Sequence, residues 1–144
     1  MVHQGPREGF AANFLSLIGD PRIRGDWYAF CDQDDLWEPG KLRRALAFLR
    51  CVPASVPGLY CSRTRLVDAA DRPLGLSPKF ARPPSFRNAL VQSIGGGNTM
   101  VCNQAARELL RRAGAGADVV THDWWAYLVV SGCGGRVHYD PWPS

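Results

Sequence analysis

Apolar residues at Phe10, Phe14, Leu17 and Ile18 follow the i, i+4, i+7, i+8 spacing of one buried helix face, predicting a helix over 9–18. Gly19-Asp20-Pro21 ends it. The pattern then changes. Trp27 to Cys31 is an unbroken, aromatic-rich apolar run, predicting a short strand buried on both faces. Three carboxylates follow at once in Asp32-Gln33-Asp34-Asp35. Pro39 opens a helix predicted over 41–50, with Leu42, Leu46 and Leu49 on its apolar side.

Val52 to Gly58 is a Pro-punctuated turn, and short strands are predicted over 59–62 and 65–68. Residues 71–84 hold four of the eleven prolines and read as a mobile surface loop. Further on, helices are predicted over 86–93, 104–113 and 122–130, and strands over 98–102 and 136–139. Gly95-Gly96-Gly97 reads as a flexible hinge. Strands alternating with helices predict one α/β domain over 1–144, a mainly parallel sheet with flanking helices. The chain opens in a helix and closes on Asp140-Pro141-Trp142-Pro143-Ser144, so this sheet is expected to lack elements at both ends.

Composition narrows the function classes. With 46% hydrophobic and 21% charged residues the chain matches globular domains, not disordered ones. No apolar run approaches the roughly 20 residues that span a bilayer, and the N-terminus lacks the apolar core of a signal peptide. Five cysteines without a C-x-x-C pair suit reduced thiols in a cytoplasm better than disulfides or zinc. The net charge of +4 is dispersed, without the basic stripe of a nucleic-acid reader. It suits an anionic small-molecule ligand.

The acidic cluster carries the chemistry. Ligands of open α/β sheets bind beyond the carboxyl ends of strands, where Asp32, Asp34 and Asp35 fall. In an extended segment Asp32 and Asp34 project to one side, with Gln33 opposite. Clustered carboxylates resist ionisation unless a cation joins them. Mg²⁺ or Mn²⁺ suits all-oxygen ligands and keeps open positions for phosphate oxygens. The bland alternative is a solvated turn, with Asp35 capping the next helix. An EF-hand starting at Asp32 fails at Leu36, Trp37 and Arg43. A haloacid-dehalogenase-type phosphatase wants Thr or Val where Leu36 stands. Gly95–Gly97 is no phosphate-binding P-loop, because no Gly-Lys-Ser/Thr follows.

Four ordered segments resemble family 2 glycosyltransferases of the bacterial rhamnosyltransferase-like branch. The stretch from Phe30 through Asp32-Gln33-Asp34-Asp35, Trp37, Pro39 and Lys41-Leu42 is similar to that branch's F-x-D-Q-D-D-x-W-x-P-x-K-L. Gly9 to Phe14 resembles its G-x-x-x-N-F helix, Gly96 to Asn103 its G-x-T-M-x-x-N stretch, and His122-Asp123-Trp124-Trp125 its H-D-W-W segment. The resemblance implies a partial GT-A fold, Rossmann-like, using a nucleotide-diphospho-sugar donor with inversion at the anomeric carbon. It implies Asp34 on a divalent metal (Mg²⁺ or Mn²⁺), Asp32 against the ribose and the metal, and Asp123 as general base. Gly96, Gly97 and Asn98 would border the acceptor, a glycan or lipid-linked glycan, and Trp124 and Trp125 could present an apolar platform to a sugar. The expected location is cytoplasmic, at the inner face of a membrane with which peripheral association is compatible.

Other readings stand beside these. Asp123 alone would be a helix cap. A lone His122 beside a helix start is more often structural, and Arg63 and Arg65 are more often solvated than phosphate ligands. Full members of the family begin with a nucleotide-binding strand that has no counterpart here and continue past the last strand. The donor's base-binding part is therefore expected to lie outside this chain. Weak donor binding and little activity are expected of the chain alone, with self-association through an exposed sheet edge. An inactive fragment that keeps only the metal-binding loop, or an interaction module, is the non-enzymatic alternative.

Overall fold

Elements form where the apolar period sets them, and the computed structural model describes residues 3–114 and 116–144. In chain order they are α1 (Phe10–Gly19), β1 (Trp27–Ala29), α2 (Lys41–Leu49), β2 (Gly58–Arg63), β3 (Arg65–Val67), β4 (Pro73–Leu76) and α3 (Phe86–Ala89). A 3₁₀ turn (Gly97–Thr99), β5 (Val101–Asn103), α4 (Gln104–Gly114), α5 (His122–Gly132) and β6 (Arg136–Pro143) complete them. Gly9 enters α1 at φ 99°, a conformation that glycine adopts without steric cost.

The main sheet has the order β1-β5-β2-β6. It is mixed, which corrects the expected mainly parallel arrangement. β5 runs antiparallel to both β1 and β2, and only β2 and β6 pair in parallel. The reason is local. β5 runs straight into α4, and its Asn103 side chain locks that junction by accepting from Gly58 N and Ala106 N at 2.9 Å and donating to Val56 O.

Alternation along the strands feeds two cores. Leu59, Cys61 and Cys102 pack with Leu110, Ala126, Tyr127 and Val130 of the helices on one face. Tyr60 and Val101 point the other way, onto Ala45 and Leu49 of α2. β2 is therefore apolar at successive positions because both its faces are covered. β1 lies at an edge, so Trp27 and Tyr28 are half-buried and Ala29 is exposed, not buried on both faces as the apolar run suggested.

Three further expectations change. The buried face of α2 is Lys41, Ala45 and Leu49, with Leu42 exposed, because the first turn of the helix aims Lys41 inward. The predicted loop 71–84 contains β4, which pairs with β3 in a separate two-stranded hairpin. Asn98 belongs to the 3₁₀ turn, and Gly97 is buried there as a packed residue where a flexible hinge was expected. Among the described residues no helix is long and apolar enough to cross a membrane.

Candidate functional site

The acidic segment leaves the end of β1 as expected. Phe30 still donates its N–H to Met100 O at 3.2 Å, after which the chain breaks from the sheet. Gln33 and Asp34 then form a turn, so the strand alternation expected to align Asp32 with Asp34 does not operate. The carboxylates nevertheless crowd together. Burial pushes the Asp32 carboxyl above its ordinary range, and the charges of Asp35, Asp34 and Asp123 push it the same way while His122 opposes them. Asp123 thus lies within electrostatic reach of a residue 91 positions earlier in the chain.

Two hydrogen bonds join the three motifs. Gly97 N donates to Asp123 Oδ2 at 3.1 Å, and the Lys41 ammonium donates to the carbonyl of Asn98. Asp123 Oδ1 also accepts from Trp124 N at 2.7 Å, in the first turn of α5. The residue preceding α5, Thr121, makes no side-chain cap. Gly40 precedes α2 likewise, so Asp35 does not cap that helix.

Asp34, Asp35 and Asn98 line a cleft of about 290 Å³ between the acidic loop and the β3–β4 hairpin, which contributes Arg65, Val67 and Asp71. Arg65 Nε meets Glu38 Oε1 at 3.0 Å across this cleft. Trp124 and Trp125 line a different groove with Leu90 and Val120. Trp124 donates Nε1 to Ala89 O at 2.6 Å, and Trp125 packs against the core. Arg63 donates to Ser77 O at the hairpin base.

Lys41, matched in the acidic motif but given no role there, is the residue that the structure adds. It is 1% exposed, its Nζ sits 3.8 Å from the centre of the Trp37 ring, and burial lowers its pKa to about 8. Cys31, Asp35 and Asp32 draw that value back up. A signal was present. The chain has fifteen arginines and only two lysines, so a compact ammonium at position 41 is an unusual choice.

His122 is 5% exposed, stacked on Phe14 at 3.9 Å and edge-on to Phe30 at 4.7 Å. Both its ring nitrogens lack hydrogen-bond partners among the described residues. Burial holds its pKa below the ordinary value, more strongly than Asp123 and Asp32 raise it. The neutral ring serves as an aromatic filler behind the site.

The donor set suits a hard cation without caging one. Among the described residues no three His, Cys, Asp or Glu side chains converge as a metal site. An ion here would have at most two carboxylate ligands among the described residues and would complete its shell from other oxygens, including phosphate and water, as Mg²⁺ commonly does. The Asp32 carboxyl pKa is raised first by burial and then by its acidic neighbours, a shortage of stabilising charge that His122 offsets only in part.

That shortage has a measurable cost. A carboxyl whose folded pKa is raised above its unfolded value destabilises the fold once pH exceeds the unfolded value. Asp32→Asn is therefore expected to raise Tm at pH 7 without added metal. The gain should shrink as pH falls toward 4, and a lower Tm at pH 7 would contradict this account.

The comparisons with known proteins meet this geometry. No protein-family model matches the chain, and no solved structure matches it. Among curated proteins, the chain is 28% identical over 131 residues to the dTDP-rhamnosyl transferase RfbG of Shigella flexneri. That match covers 83% of this chain and 42% of the relative, so the chain spans less than half the length of the protein it matches. It supports a glycosyltransferase-like relationship.

Proposed function

We propose that this chain carries the catalytic core of a metal-assisted, inverting family 2 glycosyltransferase of GT-A type. It would move a sugar, rhamnose as the first candidate, from a nucleotide-diphospho-sugar to a glycan or lipid-linked acceptor. One observation carries the reading. Residues from three separate segments, Asp32, Gly97 and Asp123, are brought together beside the cleft that Asp34, Asp35 and Asn98 line. The similarity to a protein named as a rhamnosyl transferase supports the same class.

Direct displacement at an anomeric carbon needs a base on one side of the sugar and a charge acceptor on the other. The Asp123 carboxylate takes the proton of the acceptor hydroxyl as its oxygen attacks. The bond to the diphosphate breaks on the opposite face. Asp34 and Asp32 would hold Mg²⁺ or Mn²⁺, whose charge stabilises the departing diphosphate. Gly97 N–H fixes the orientation of the base, and Gly96 and Asn98 are assigned to the acceptor side. Lys41 acts through Asn98 as a positioning residue, because at 1% exposure its ammonium cannot reach a substrate. Trp124 and Trp125, on their separate groove, are left to distal parts of the acceptor.

The test is product formation by the full-length protein, from a panel of thymidine and uridine diphospho-sugars with Mn²⁺. Release of the nucleoside diphosphate that depends on both acceptor and metal supports the proposal. No turnover with any donor, or turnover unchanged by removal of the metal, overturns it.

A further inference from the structure

We propose that the surface around α3 and the segment before α5 is a docking face for an anionic lipid bilayer. Single exposed apolar side chains are ordinary, but here several share one rim. Leu90 and Val120 line the same groove and are 60% and 82% exposed, and neighbouring Val91 is 75% exposed. Phe86 stands one turn before Leu90, whose N–H it receives at 3.1 Å, and is also exposed. Among the described residues Leu90, Val91 and Val120 stay largely uncovered, while Phe86 is partly covered at Gly132 and the opposite side of α3 is sealed by Ala89 and by the bond from Trp124.

Charge identifies the partner. No Asp or Glu occurs between Asp71 and Glu108, while Lys79, Arg82 and Arg87 all fall in that stretch and are exposed. Among the described residues none of the three forms an ion pair. Asp118, on the groove itself, is the acidic residue beside them. The loop carrying Arg82 is pinned at both ends. Phe80 N donates to Tyr139 Oη at 3.4 Å and Ser85 N to Tyr127 Oη at 2.8 Å, so the basic residues are held beside α3. Apolar side chains flanked by unpaired cations match an interface of acyl chains beneath anionic headgroups. A polyanion in solution would use the cations and leave the apolar rim in water.

Vesicle co-sedimentation tests this independently of any sugar transfer. The full chain is expected to bind phosphatidylglycerol vesicles and to bind phosphatidylcholine vesicles about 100-fold more weakly, the order expected for three basic groups at roughly fivefold each. The double change R82E/R87E should weaken anionic binding about 25-fold or more, at roughly fivefold per charge removed. L90D/V91D should weaken it about tenfold or more with every basic residue intact. All four positions are exposed, so melting temperatures should stay close to that of the unaltered chain, and this confirms folding. Equal binding to both vesicle types, or binding insensitive to L90D/V91D, overturns the proposal. So does a dimer in sedimentation equilibrium that L90D/V91D dissolves while vesicles bind nothing; the rim would then be a contact between copies.

Discussion

Asp123→Asn in the full-length protein lowers the rate of sugar transfer about 10²–10⁴-fold, the usual contribution of a positioned general base. Donor affinity should stay within a factor of about two, because the change lies on the acceptor side. The substitution is nearly isosteric. It keeps one of the two oxygens that receive Gly97 N–H and Trp124 N–H and turns the other into an amide donor. One hydrogen bond is lost, worth about 1 kcal/mol, so the variant folds and the rate reports on chemistry. A helix-terminal acid acting only in folding would show the same modest fall in melting temperature with the rate nearly intact. Measuring the rate and the melting temperature on one preparation separates the two.

Gly97→Ala is the second large effect, and it acts through packing. A Cβ on residue 97 would lie 2.3 Å from His122 Nε2, 3.0 Å from its Cε1 and 3.4 Å from Asp123 Cβ. The imidazole cannot retreat, because Phe14 stacks on one face and Phe30 meets it edge-on. Relief must come from moving the 3₁₀ turn, which withdraws Gly97 N–H from Asp123 and shifts the Asn98 carbonyl on Lys41. Overpacking of this kind costs about 1–3 kcal/mol, which in a chain of this size lowers Tm by roughly 3–12 °C. Gly96→Ala is the control. Its Cβ would meet only the Asn98 side-chain amide at 2.7 Å, a group free to rotate away. A Gly97→Ala protein as stable as Gly96→Ala would show that the aromatic wall behind His122 yields.

Much of this arrangement was legible in the sequence. Helical spacing located α1, and helices were also expected where α2, α4 and α5 form. The candidate site residues stood out as motifs, since acidic, glycine-rich and H-D-W-W segments each differ from their surroundings. Strand direction was not legible. Whether β5 runs with or against β2 is tied to its direct junction with α4, held by Asn103, which leaves no mark in periodicity. The inward turn of Lys41 was hidden for a related reason: an apolar count assigns the buried face to Leu42, while the cation satisfies itself on Trp37 and Asn98. β3 lies within the strand expected over 65–68, but its partner β4 was masked by the prolines around it and by having every residue exposed, so no alternation marks it. Its position as one wall of the acidic cleft follows only from the folded geometry.

The central claim is that Asp34 and Asp32 grip a diphosphate through a divalent ion, beside a base that takes no part in that grip. Mn²⁺ titration followed by electron paramagnetic resonance, with and without thymidine or uridine diphosphate, addresses it most directly. The free-ion signal should fall further when the nucleotide is present. Asp34→Asn should weaken that ternary binding about tenfold or more, the loss of one charged ligand, and Asp123→Asn should leave it unchanged. Binding of Mn²⁺ that ignores Asp34→Asn, or that Asp123→Asn abolishes, would contradict the division of labour between the two acidic segments.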